Sequence, residues 1–480
     1  MANPDRLSGL DASFLSLERS GAHMHVGSVL VFEGDAPPYD DFVAKLEQRL
    51  HLVPRYRQKL AFPPLVQGRP VWIDDPHFNA RYHVRHTALP GAAGEEELRN
   101  LAGRVFAQGL DRSKPLWELW LVDRVGDDRF AIISKTHHCL VDGISGVDIS
   151  TVLFDLEPDP PAQQPPPGWV PRPEPSRAEL LADALIERAA APLELARAAV
   201  GAVAQPADAV SAGVTTLGGL AAIAHAGLAG APRSPLNVRI GPHRRFAWVD
   251  GDLQTFKAIK NALGGTVNDV VLTVVSGALR THYLEHGYDV EAPLKAMVPV
   301  SVRTESERGA LGNRVSAMSA PLPLGLADPI ARFRAVNEAM QGLKESGQAV
   351  GAEVLTSLAD FAPPTILSQA ARLQAVQRFF NLTVTNVPGP QFPLYLLGRR
   401  LSRLYPQVPL AENCALGIAI MSYDGRIDFG LLADYDALPE LDALAAALEG
   451  AIAELALVAG VGGTPAGEGR PRRTRARQPA

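Results

Sequence analysis

Apolar and polar positions along the chain alternate between two patterns, short unbroken apolar runs and longer stretches with a helical period. Phe130-Ala131-Ile132-Ile133 has the length and flanks of a buried strand, and Ser28-Val29-Leu30-Val31-Phe32 reads the same way. Tyr39 to Leu52 has the spacing of a helix, while Val71-Trp72-Ile73 and Tyr82-His83-Val84 read as short strands. Pro115 to Val122, the polar connector Asp123 to Asp128 and the return through Phe130 to Lys135 predict a β-hairpin. Beyond it, Ile149, Val152, Leu153 and Leu156 fall at i, i+3, i+4 and i+7, one face of a helix.

The second half repeats these patterns. Thr266-Val267-Asn268-Asp269 opens a helix that puts Val271, Val274, Val275 and Ala278 on one face. Thr266 as N-cap with Asp269 at the third position makes a variant of the capping box, so a structural role explains Asp269. It explains Asn268 less well, a neutral polar group at the positive end of a helix dipole. Asn381 to Thr385 predicts a strand leading into a turn at Asn386-Val387-Pro388-Gly389-Pro390. Gly417 to Ser422 and Ile427 to Leu432 predict a hairpin with Asp424-Gly425 in its turn.

Between the halves the pattern changes. Prolines dominate from Glu157 to Pro175, which pins φ, removes donors and predicts a semi-rigid linker. Arg177 to Val203 is Ala/Leu-rich with a helical period, and no charge occurs between Ala209 and Pro232. That uncharged stretch fits a packed crossover or a face touching lipid, and it is too weakly hydrophobic for a membrane span. The expected organisation is an N-terminal subdomain at 1–156, a linker and helical crossover at 157–233, a C-terminal subdomain at 234–460 and a disordered Arg-rich tail at 461–480.

Composition narrows the function. A chain of 480 residues, 46% of them apolar, can build two cores. Its net charge is −6 even though Arg470, Arg472, Arg473, Arg475 and Arg477 crowd the tail, so the body is acidic and unsuited to nucleic acid. Cys139 and Cys414 make no disulfide framework and suit a reducing cytoplasm. The first residues lack an apolar signal core, and no segment reaches the length of a membrane span.

Candidate chemistry concentrates where the first apolar strand ends, in Thr136-His137-His138-Cys139-Leu140-Val141-Asp142-Gly143. A neutral imidazole accepts and returns a proton near neutral pH. Asp142 can pair locally and fix the turn, and Gly143 permits a backbone that a Cβ would forbid. A histidine pair satisfied within a core also fits, and a metal site fits less well because the spacing of a zincin is absent. His25, in Met24-His25-Val26-Gly27, fits a surface position or a site position equally.

His-His-x-x-x-Asp-Gly resembles the signature of the CoA-dependent acyltransferase superfamily. Within it, Leu7-Ser8-x-x-Asp11, Met24-His25-Val26-Gly27, Pro115-Leu116-Trp117-Glu118, Ser234-Pro235-Leu236-Asn237, Asn268-Asp269, Asn386-Val387-Pro388-Gly389-Pro390 and Ser422-Tyr423-Asp424-Gly425 together resemble the wax ester synthase/diacylglycerol acyltransferases. The resemblance spans residues 4–458 and implies an α/β fold: two chloramphenicol-acetyltransferase-like subdomains with the active site in a tunnel between them. It implies acyl-CoA as substrate with no cofactor or metal, and diacylglycerol or a fatty alcohol as acceptor. His138 is then the base, His137 a support, Asp142 and Gly143 the architecture of the turn, Asn268 a polar contact near substrate, and Asp269 the holder of its helix. Pro-Leu-Trp is expected to be core packing. A thiol nucleophile at Cys139 is disfavoured, because neighbours in extended chain point to opposite faces. A non-catalytic lipid-binding protein on this fold is the reading from another class, disfavoured by the intact motif. Water-insoluble substrates without a spanning helix imply peripheral attachment of a cytoplasmic protein to a membrane or lipid droplet.

Overall fold

Two six-stranded sheets carry the two halves of the chain, and residues from both halves build the first of them. The computed structural model describes residues 5–18, 21–64, 68–91, 93–141, 153–161, 168–186, 230–301, 315–345 and 379–461. Across its width the first sheet is β11 (Tyr395–Leu396), β12 (Arg399–Gln407), β1 (His25–Glu33), β6 (Arg129–His137), β5 (Trp117–Val122) and β4 (Val84–Thr87). The second is β7 (Arg244–Val249), β14 (Arg426–Asp434), β13 (Leu416–Tyr423), β10 (Leu382–Pro388), β8 (Leu294–Ser301) and β9 (Val315–Leu322). A small pair, β2 (Gln58–Ala61) and β3 (Val71–Asp74), lies apart.

Helix α1 (Gly9–Leu17) precedes β1; its N-cap Ser8 accepts a hydrogen bond from the Asp11 N–H at 3.0 Å. Alternation along β1 and β6 then divides their apolar residues between two cores. Leu30, Phe32, Phe130 and Ile132 pack with Phe42, Val43 and Leu46 of α2 (Tyr39–Arg49). Val29, Val31, Ala131 and Ile133 pack instead with Val105 and Phe106 of α3 (Glu95–Ala107) and with Phe246, Trp248 and Leu432 of the second sheet. Each Val, Ile, Leu or Phe among them stabilises the fold by about 1.5–3 kcal/mol when fully buried, so this second core holds the two halves together.

The expected hairpin forms: β5 and β6 are antiparallel, with Trp117 opposite Thr136 and Leu121 opposite Ile132. Pro-Leu-Trp is core, as expected, with Leu116 and Trp117 both fully buried and the indole N–H donating to the Tyr56 carbonyl at 2.8 Å. Tyr82 and His83 are not strand. They lie in a helical turn, Ala80–His83, started by the Asn79 side chain, and His83 stacks on Trp117 at 4.4 Å. Leu156 does not share a buried helix face with Leu153. The chain is already in a bridge with Tyr395 at Asp155, and Leu156 is 67% exposed. Ile149 and Val152 lie outside the described residues.

In the second sheet β10 runs parallel to both β13 and β8, pairings that require covered crossovers. The covering helices are α4 (Leu253–Leu263), α5 (Val267–Glu285), α6 (Pro329–Glu345) and α7 (Leu441–Val458), which share one apolar core with the sheet. The Asp424-Gly425 turn forms with φ of 43° and 81°, the left-handed pair that suits a two-residue hairpin. β12, from the second half of the chain, pairs with the free edge of β1. It crosses β14 so closely that a Cβ on Gly430 would lie 1.8 Å from the Pro406 carbonyl oxygen. The expected division at 234 therefore follows chain order, whereas β11 and β12 return to complete the first sheet.

The proline-rich segment is strapped to the first half. Arg57 lies over the Trp169 ring at 4.6 Å, and Arg172 pairs with Asp74 at 3.2 Å and Asp5 at 2.9 Å. Residues 177–186 are helical and set Leu180 against Val71 and Ile73. Most of the uncharged stretch at 209–232, and the tail beyond 461, lie outside the described residues.

Candidate active site

Three separate sequence motifs meet at the end of β6. The His137 N–H donates to the Leu116 carbonyl of Pro-Leu-Trp at 2.9 Å, and the His138 N–H donates to the Met24 carbonyl of Met-His-Val-Gly at 2.8 Å. β6 ends at His137, and His138 opens a single helical turn, His138–Val141. The strand-to-helix change thus falls between the two histidines, so they project differently.

His137 is buried inside the protein. Its Nδ1 accepts from the Cys139 N–H at 3.1 Å, which places the proton on Nε2, 3.5 Å from a Glu18 oxygen. Glu18 follows α1, accepts the Met24 N–H at 3.0 Å and ion-pairs with Arg112 at 2.6 Å. Burial alone would push its carboxyl up, but the hydrogen bonds and charges of His137 and Arg112 prevail and hold it at about 2.

His138 is half-buried, and the Phe14 ring of α1 stacks on it with centroids 4.1 Å apart and planes 29° from parallel. Burial, with the charge of His137 adding to it, pushes His138 down to about 4. The imidazole is therefore neutral at pH 7 and able to accept a proton. An interaction with the backbone of its own residue acts in the opposite sense.

Cys139 is not extended relative to His138, since the chain is helical there. Its thiol is nevertheless buried among the apolar residues of the first core, and burial raises its pKa well above the ordinary value. It remains a neutral thiol, a poor nucleophile. His25 is structural: it sits opposite His137 across the β1–β6 ladder and its Nε2 meets the Phe106 carbonyl at 2.9 Å. Buried Lys135 donates to the Val105 and Gln108 carbonyls at 3.2 and 3.0 Å, so these two side chains satisfy the end of α3.

Asp142 and Gly143 lie outside the described residues. Asp269 accepts from Thr266 in the expected capping box and from Asn337 Nδ2 at 3.0 Å, tying α5 to α6. Asn268 is half-buried at the start of α5. Among the described residues, no hydrogen bond or ring contact joins Asn268 or Asp269 to the histidine pair. Nor do the described residues include three or more His, Cys, Asp or Glu side chains placed to hold a metal ion. Sequence reasoning missed Phe14, Glu18 and Arg112. Phe14 and Glu18 stand at i and i+4, Glu18 as the C-cap whose N–H donates to the Phe14 carbonyl, and that spacing before Met-His-Val-Gly is the signal that was there to find.

The family model for the wax ester synthase/diacylglycerol acyltransferase catalytic domain matches residues 7–271, and the model for the C-terminal domain matches residues 311–456. The chain belongs to the wax ester synthase/diacylglycerol acyltransferase family. A Mycobacterium tuberculosis protein named as a diacylglycerol O-acyltransferase is 34% identical over 461 residues, covering 94% of this chain and 90% of that protein. A second, from the same species and similarly named, is 31% identical over 471 residues, covering 95% and 96%. The solved wax ester synthase/diacylglycerol acyltransferase of Marinobacter aquaeolei superposes with a TM-score of 0.65 at 30% identity, covering 95% of this chain and all of that one. The starter condensation domain of rhizomide synthetase shares the fold, with a TM-score of 0.55 at 15% identity. The two-subdomain, chloramphenicol-acetyltransferase-like architecture expected from the sequence is thus the architecture of the family.

Proposed function

We propose that this family member moves a long-chain fatty acyl group from acyl-CoA to the hydroxyl of diacylglycerol, releasing triacylglycerol and CoA. The observation that carries the reading is His138, a neutral imidazole fixed at a strand end and stacked on Phe14. A thioester is already activated, so no acyl-enzyme is required. The acceptor oxygen attacks the thioester carbonyl as the His138 imidazole takes its proton. The tetrahedral intermediate then collapses, the C–S bond breaks, and the imidazolium returns the proton to the departing thiolate. A fatty alcohol meets the same requirement and would give a wax ester, the other activity in the family's name. Asn268 is proposed as a polar contact near substrate, on family resemblance.

Thiol release from palmitoyl-CoA in the presence of diacylglycerol or hexadecanol tests this directly. His138→Ala should lower the rate by about 10²–10⁴-fold while leaving the folded protein intact. A His138→Ala protein turning over near the parent rate would sink the mechanism.

The protein is further proposed to act peripherally at the cytoplasmic face of a membrane or on lipid droplets. Its substrates are insoluble in water, and among the described residues no single helix is long and apolar enough to cross a bilayer. The uncharged stretch at 209–232 and the arginine tail are the proposed contacts, the tail contributing about 1 kcal/mol per Arg near anionic lipid. Deleting the residues after Gly462 should weaken liposome co-sedimentation mainly at low salt. Aspartates at Leu220 and Ile223 should weaken it at any salt. A protein that never sediments with liposomes and survives alkaline carbonate in the membrane pellet would be integral, contrary to this proposal.

A further inference from the structure

We propose that Phe14 is a positioning residue for the reaction, its ring face setting the plane of the His138 imidazole and stabilising the imidazolium formed in the transition state. The geometry begins with the stack itself, 4.1 Å between centroids at 29°, which fixes which way the ring edge points. α1 holds Phe14 rigidly. Ser8 caps one end, and at the other Arg112 donates to the Leu15 carbonyl at 2.9 Å while pairing with Glu18. Phe14 also packs on the apolar core shared by the two sheets. α1 and the residue that ends it therefore support both histidines, Phe14 on His138 and Glu18 on His137.

The chemistry makes this more than packing. During the reaction His138 passes from neutral to cationic in a buried place that disfavours charge. The negative face of an aromatic ring offsets part of that penalty, and it does so for the cation much more than for the neutral base. An interaction stronger in the transition state than in the ground state raises kcat without altering substrate affinity. The titratable and charged groups that the described residues set around this segment are His137 and Cys139 in the chain, Asp11 and Glu18 of α1 and its end, Arg112, and Arg55. Of these, His137 acts on His138 in the sense that disfavours the cation.

The inference rests on His138 being the base, and the test keeps the two separable. Phe14→Leu retains apolar volume without the π face. It should lower kcat by roughly 3- to 30-fold, leave KM for palmitoyl-CoA within about twofold, and move the acid limb of the kcat–pH profile to lower pH, because the cation is less favoured. Phe14→Tyr should stay within about twofold of the parent. Phenylalanines carrying one, two and three ring fluorines at position 14 keep the shape while weakening the face stepwise, so they report even if Phe14→Leu fails to fold. Their kcat should fall stepwise. A flat fluorine series, or a Phe14→Leu enzyme with raised KM and unchanged kcat, would overturn the inference. His138→Ala measured alongside separates the failures: an active His138→Ala protein removes the base, whereas a dead one beside a flat fluorine series removes only Phe14's role.

Discussion

At the scale of single residues, Glu18 shows how charge organises the pair of histidines. Its carboxyl, ordinarily near 4.5, is held at about 2 because His137 and Arg112 outweigh the cost of burying it. A carboxylate with a depressed folded pKa contributes stability above its unfolded value and loses it as pH falls through the folded one. Here that window runs from about pH 4.5 down to 2, with a ceiling of about 3 kcal/mol, reduced because Arg112 faces solvent in part. Glu18→Gln should therefore melt below the parent at neutral pH, with the gap closing toward about pH 2. A gap that persists in acid would mean that the ion pair is not its source. The same variant should turn over more slowly, since the neutral amide holds His137 Nε2–H less firmly. Only the histidines were legible here, because their chemistry is unusual for an apolar strand end, whereas a lone Glu just past a short helix looks like a surface residue until Arg112 and Met24 are seen to meet it.

At the scale of elements, the start of α5 separates a structural residue from a proposed functional one. Asp269 completes the capping box and reaches Asn337 on α6, so Asp269→Ala should cost about 1–2 kcal/mol of stability. Asn268 beside it takes part in neither contact. Asn268→Ala should melt like the parent and lose turnover, as read by thermal denaturation and thiol release on the same preparations. The opposite pattern would return Asn268 to architecture. The capping box was readable because helix N-termini obey local rules. The single turn at Ala80–His83 was not, because stacking of His83 on Trp117, a contact between distant segments, overrides the strand-like look of Tyr82-His83-Val84.

For the whole molecule, the junction of the two sheets carries an unusual group. Asp428 is fully buried on β14 beside β12, where the Leu404 N–H donates to it at 3.4 Å and an Arg403 nitrogen lies 3.6 Å away. Burial pushes its carboxyl up to about 7, Arg403 acting against it and the charge of Asp250 with it. A folded pKa raised above the unfolded 3.8 means that stability is greatest below that value and declines as pH rises toward 7. Asp428→Asn keeps an acceptor for Leu404 and removes the buried charge. It should raise the melting temperature at about pH 8, by the equivalent of roughly 1–3 kcal/mol, and give no gain near pH 4. A gain independent of pH would point to packing rather than ionisation.

By itself the sequence determined what depends on near neighbours: the β5–β6 hairpin, the helix at Thr266 with its cap, the Asp424-Gly425 turn and the placing of a histidine pair at a strand end. These follow from periodicity, capping and turn chemistry, which act over a few residues. Only the tertiary structure decided that Leu116 and Met24 hold the two histidine amides, that Phe14 on α1 and Glu18 just after it support the two rings, and that β12 closes the sheet begun by β1. Those contacts join residues far apart in the chain. They are set by which backbone groups and faces are left unsatisfied once the local elements have formed, and no local pattern records that.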